Sequence, residues 1–124
     1  MVHKKQAFGQ IERIQSWNTR RGNTPSTLDW KLEIAMLQEE LNELLEATTD
    51  VDRFDALLDL DFVLNGSLGK MGLSPSAVVA GREAVIFANE LKSSEKNSDG
   101  KITKPIGFTG PEESLQKILD KCSV

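Results

Sequence analysis

Hydrophobic positions along this chain recur with a helical period rather than an alternating one. Phe8, Ile11, Ile14 and Trp17 stand three apart and predict an amphipathic helix over roughly residues 3 to 19. It should stop near Gly22, and RRGNTPST reads as a loop in which Ser26 or Thr27 can cap the next helix. That second helix is predicted from about 28 to 47, where Leu32, Ile34, Ala35, Leu37, Leu41, Leu44 and Leu45 give an apolar face wide enough for two neighbours. TTD then breaks it. A third helix from about 51 to 69 is expected to turn Phe54, Leu57, Leu58, Phe62 and Leu64 inward and to end at Gly69 and Gly72. Ser74-Pro75 starts a fourth, with Ser as cap and Pro at the first helical position, and Val78, Val79, Val85, Ile86, Ala88 and Leu91 carry it to about 94. KNSDGKITKPIGFTGP is loop or at most a short hairpin around Asp99-Gly100, followed by a last short helix over roughly 111 to 120. Four long helices with short connections predict an all-α fold, an antiparallel four-helix bundle in one domain over residues 1–124.

Composition agrees with that pattern. Aromatic residues make up 6% of the chain and Tyr is absent, which suits a helical protein better than a β-sandwich. Cys122 is the one cysteine, so no intramolecular disulfide can form and a reducing compartment is expected. No segment approaches the roughly 18 apolar residues needed to cross a bilayer, and MVHKKQAFGQ lacks the apolar stretch of a signal peptide. A soluble, cytoplasmic protein with no membrane partner is the expectation.

Charge changes the picture more. Residues 29 to 61 hold 11 acids against two bases, Lys31 and Arg53, a local charge of −9 inside a chain of −4. So acidic a middle disfavours contact with a nucleic-acid backbone. It favours a divalent cation and, through it, a phosphate.

The acids are also patterned. In LQEELNELLE, Glu39 and Glu43 are one turn apart and Glu40 and Glu43 three residues apart, so all three share a narrow arc of the helix. In DALLDLDFV, Asp55 and Asp59 are again one turn apart. A connection of a few residues should fold the two helices into an antiparallel hairpin that can bring these arcs face to face. Hard oxygen ligands without His or Cys point to Mg²⁺, or Mn²⁺, and away from zinc. The plainer alternative is a solvated helix face, but such faces usually mix both signs, and here almost no Lys or Arg is interspersed.

Glu39-Glu40-x-x-Glu43 followed by an acidic patch ending in Asp59, in DALLDLDFVLNGSLGKMGL, resembles the EExxE and ExxD signature of the MazG-like, all-α nucleoside triphosphate pyrophosphohydrolases. Asn89-Glu90-Leu91-Lys92 resembles the family's N-x-x-K, and DGKITKPIGFTGPEESLQKIL its glycine- and lysine-containing tail, so the likeness runs over about residues 30 to 120. The resemblance implies a helical bundle assembled as a homodimer or homotetramer. It also implies Mg²⁺-dependent hydrolysis of a nucleoside triphosphate to the monophosphate and pyrophosphate, with deoxynucleoside triphosphates in a pool-cleaning role as the leading substrates. Glu39, Glu40, Glu43 and Asp59 would then hold the metal, with Glu39 able to accept the proton of the attacking water, and Lys92, Lys101 and Lys104 are candidates to neutralise charge on the phosphates. One position departs from the signature: where Glu is expected three residues before Asp59 the chain has Ala56. Either Asp55 takes over by a small rotation, the reading preferred here because it stays on the same face as Asp59, or a ligand is missing.

Further candidates rest on less. Asn89 can contact a nucleotide or only its neighbouring backbone. Trp17 and Trp30 can stack on a base or pack in the core, and Asn18 beside Trp17 is placed to read a base edge. A different class of function, a helical interaction module on the same scaffold with catalysis lost at Ala56, competes with the enzyme. A calcium-binding helix pair is disfavoured because no D-x-D-x-D-G loop is present.

Overall fold

The computed structural model describes residues 2–92 and 94–122, with side chains from residue 5 onward. Helices α1 (Val2–Arg20), α2 (Trp30–Glu46), α3 (Asp50–Lys70), α4 (Pro75–Glu90) and α5 (Glu112–Cys122) follow one another, with a 3₁₀ turn at Pro25–Thr27. The fold is all-α, as expected: among the described residues the only β pairing is an isolated antiparallel bridge between Lys96 and Ile102. None of the helices described is long and apolar enough to cross a membrane.

Local chemistry accounts for the boundaries. Gly22 (φ +78°) and Gly72 (φ +85°) take the left-handed conformation just past α1 and α3, the position where a Cβ is unwelcome. At each end the glycine N–H bonds back to the penultimate turn, to Thr19 and Gly69 respectively. The following residue bonds further back, Asn23 to Asn18 and Leu73 to Leu68, so the orphan carbonyls are satisfied. Thr49 caps α3 by accepting the Asp52 N–H. The cap of α2 differs from expectation. Thr27 is occupied by its own 3₁₀ turn, accepting the Thr24 N–H and donating to the Thr24 carbonyl. Asp29, two residues later, accepts the Lys31 N–H at 3.0 Å and caps the helix instead.

The chain divides into two compact units, residues 1–75 and 76–124. In the first, α2 and α3 make the most extensive contact and α1 packs along α3. Gly69, expected to end α3, lies inside it. A Cβ there would stand 3.2 Å from the Gln15 side chain, and one at Gly66 would stand 3.1 Å from the Asn18 amide. Both glycines therefore let α1 approach α3 closely. The Gln15 amide also donates to the Leu73 carbonyl, tying α1 to the end of α3.

What the helices bury differs from the expected faces. On α3 the buried side chains are Ala56, Asn65, Ser67 and Lys70, whereas Phe54, Leu57, Leu58, Phe62 and Leu64 are exposed, Phe54 to 64%. On α2 only Glu33 is buried, and Leu45 is 83% exposed. The physical reason is helical phase: Ala56, Asp59, Ser67 and Lys70 share one stripe of α3, Glu33, Glu40 and Glu43 share one stripe of α2, and these two stripes meet. The hairpin turns polar groups inward and presents its large apolar groups outward.

In the second unit α4 ends at Glu90 rather than near 94, because the Leu91 and Lys92 N–H groups tighten onto the Ala88 and Asn89 carbonyls three residues back. A tight hairpin follows, with Gly100 at φ +81° and the Asn97 carboxamide accepting from the Asp99 and Lys101 N–H groups. Helix α5 lays Leu115 beside Gly81 of α4.

Candidate active site

The α2–α3 hairpin carries acids at two levels. At its open end, away from the turn at residues 47–49, Glu33 is wholly buried, and its two carboxylate oxygens are divided between two donors of α3. Ser67 Oγ donates to Oε1 at 2.9 Å, and Lys70 Nζ pairs with Oε2 at 3.0 Å. That Glu33, near the start of α2, meets the last residue of α3 establishes the antiparallel sense of the pair. Neither Glu33 nor Lys70 stands out as a candidate from sequence. The available signal is that Glu33 lies seven residues before Glu40, two helical turns, and so on the same face.

The second level is the predicted cluster. Glu40 and Glu43 from α2 and Asp59 from α3 each bring a carboxylate oxygen within 4.8 Å of the others. Among the described residues no cation offsets the charges acting on Glu40. Partial burial, the hydrogen bond and charge of Glu43, and the charges of Asp59 and Glu39 all push its carboxyl above the ordinary value. Its Oε2 is shielded from solvent and has no hydrogen-bond partner. A buried acceptor left without a donor is rare, because its desolvation is uncompensated. Three hard oxygens from two rigid helices with one of them orphaned fit a divalent cation of the Mg²⁺ or Mn²⁺ type.

Glu39 and Asp55 stand outside the set of oxygens that close on one another. Glu39 acts on Glu40 only through its charge. Asp55 is exposed and lines a cleft of about 270 Å³ with Glu43, Glu46, Ala47, Asp52 and the buried Ala56, so it opens onto the same acidic region from the side.

A second cleft, of about 530 Å³, lies where α1 meets α3 and is lined by Arg13, Ile14, Trp17, Arg20 and Phe62 among others. Trp17 stands edge-on to Phe62 at 5.1 Å, with the Arg21 guanidinium 4.1 Å over its ring. Phe62 is about one turn past Asp59 on α3, and none of Glu40, Glu43 and Asp59 lines this cleft. Asn18 lies against Gly66 of α3. It is buried, donates to the Ile14 carbonyl and accepts from Asn23, so its amide closes the end of α1 and is not available to read a base. Trp30, the first residue of α2, is half exposed.

The remaining candidates belong to the second unit. Asn89 donates its side-chain amide to the Val85 carbonyl of its own helix. Lys92 is half-buried, Lys101 is exposed on the hairpin, and Lys104 lies 5.6 Å over the Phe108 ring.

Residues 12–82 match the phosphoribosyl-ATP pyrophosphohydrolase family over more than half the chain, and the chain belongs to that family, within the MazG-like all-α superfamily. The activity that goes with the family is that of a nucleotide pyrophosphohydrolase, an enzyme acting on acid anhydrides. The match contains Trp17 and every acid of the cluster and ends within α4, before Asn89 and the three lysines. No curated protein matches the sequence.

Proposed function

We propose that this chain is a Mg²⁺-dependent pyrophosphohydrolase, with Mn²⁺ able to substitute, that converts a nucleoside or deoxynucleoside triphosphate to the monophosphate and pyrophosphate as a nucleotide-pool cleaning activity. The observation that carries it is the orphaned, shielded Oε2 of Glu40 within 4.8 Å of carboxylates on two helices, in a chain of pyrophosphohydrolase family. Glu40, Glu43 and Asp59 would hold the cation, with Asp55 completing the set from the adjoining cleft in place of the Glu absent at position 56. A cation held there would supply neutralisation of triphosphate charge and acidification of a water. Glu39, next to the cluster but outside it, would accept the proton of a water attacking the α-phosphorus. The bond from the α-phosphorus to its bridging oxygen breaks, and pyrophosphate leaves with the electron pair. Lys92, Lys101 and Lys104 neutralise the departing phosphates, Asn89 contacts the nucleotide, and Trp17 with Phe62 stacks on the base.

The exposed apolar faces of α2 and α3 are read as the surface through which copies associate into a homodimer or homotetramer, because patches of this kind mark interfaces. Residues 1–124 act as one functional domain, in the cytoplasm, on a free nucleotide.

The family description favours a second substrate, phosphoribosyl-ATP, which carries the same triphosphate. Incubation with each common NTP, dNTP and phosphoribosyl-ATP in Mg²⁺, with pyrophosphate assayed beside the Glu43→Gln variant, separates the two. Turnover of none, or equal turnover by the variant, would leave the helical interaction module as the reading.

A further inference from the structure

Ion pairs that are fully buried are seldom kept for stability, since apolar residues of similar volume often serve as well or better. Their best-attested use is to fix which residues stand opposite one another. The Glu33–Lys70 pair, with Ser67 on its second oxygen, is such a pair and sits on the same interface as the acid cluster.

Helix geometry relates the two levels. Along α2, Glu40 and Glu43 lie about 10 and 15 Å from Glu33, and along α3 Asp59 lies about 16 Å from Lys70. Because the helices run antiparallel from the pair, these distances bring Asp59 level with Glu43 and within reach of Glu40. A slip of α3 by one residue, about 1.5 Å along the axis and about 100° around it, would turn Asp59 out of the cluster. The buried side chains of α3 include the small Ala56, and Phe54, Leu57, Leu58 and Leu64 are exposed rather than interlocked, so the directional Glu33–Lys70 pair is the contact of this interface that a slip would break. The pair also has the directionality a pin needs, with each carboxylate oxygen assigned its own donor.

We propose that Glu33, Lys70 and Ser67 are positioning residues that pin the register of α2 against α3 and so hold Glu40 and Glu43 opposite Asp59. The inference rests on the reading of that cluster as a divalent-cation site. Its test uses the full chain with Cys122→Ser, spin labels at Gln38 and Asp61, and Mn²⁺ itself as the probe. The double apolar variant Glu33→Leu/Lys70→Met should melt at or above the parent temperature. It should nonetheless bind Mn²⁺ about 10-fold more weakly, the scale seen when the groups orienting metal ligands are removed, with a displaced or broadened distance between the labels. The swapped pair Glu33→Lys/Lys70→Glu should recover both. Unchanged Mn²⁺ affinity or unchanged label distance in the folded apolar variant overturns the proposal. If the apolar variant does not fold, the swapped pair decides, and displaced labels there, or failure of both to fold, overturns it too. Absence of Mn²⁺ binding by the parent protein would instead defeat the cation reading, leaving the label distances to judge the pin alone.

Discussion

Glu33 and Glu40 stand two turns apart on one face of α2 and meet opposite circumstances. Glu33 is the more deeply buried, yet both its oxygens are occupied by donors the chain supplies. Glu40 is only half-buried, but one oxygen is shielded without a partner and the charges around it are negative. The first carboxylate is satisfied within the fold; the second keeps an oxygen to which the described residues supply no donor. Burial alone therefore does not distinguish a structural acid from a functional one, whereas the source of the compensating charge does.

The contrast can be broken most forcefully at its satisfied end. Lys70→Ala leaves Glu33 as a buried, uncompensated charge, which should cost about 3–5 kcal/mol and lower the melting temperature by roughly 10 °C or more, read by circular dichroism. At the unsatisfied end, Glu43→Gln should reduce pyrophosphate release on the order of 100-fold at saturating Mg²⁺. In metal-free protein the same change should be stabilising by a few tenths of a kcal/mol, because it removes like-charge repulsion. Equal loss of stability in both variants would erase the distinction.

Mg²⁺ at about 100 times its dissociation constant should stabilise the parent protein by roughly 2.7 kcal/mol and the Glu43→Gln variant by much less, measured by thermal shift. Proton binding offers a finer probe. The Glu40 carboxyl is held above its ordinary value, so between that value and the raised one the folded state binds more protons than the unfolded state. Metal-free stability should therefore fall as pH rises through this window and be regained on acidification, until other carboxylates titrate. Added Mg²⁺, competing with the proton, should reverse the trend. The smallest expected effect is that of Asp55→Ala, a several-fold loss of Mn²⁺ affinity against the larger loss at Glu43. No change would show that Asp55 does not stand in for the Glu absent at position 56.

Much of the architecture is legible in the chain. Helix stops follow from Gly22 and Gly72, and the break before α3 from TTD, within which the structure shows Thr49 as the cap, because capping chemistry is local. That Glu40 and Glu43 share one arc of α2 is legible too, since helical spacing decides it, whereas the packed hairpin brings Asp59 to them. Asp29 escapes because two better-looking caps precede it, and only the hydrogen bonds of the 3₁₀ turn reveal that Thr27 is already engaged. Periodicity turns Phe54, Leu57 and Leu58 inward because it locates an apolar face without saying what covers it.

Which residues are helical, where each helix ends and which acids share a face are properties of short stretches, governed by turn chemistry and a repeat of 3.6 residues. Long-range contact had to choose the rest. Whether Glu33 or Glu40 would find a donor depends on what α3 sets opposite each, and Lys70 is 37 residues away from the one it neutralises. Only the packed hairpin separates the acid already compensated by the fold from the one left with an unpartnered oxygen.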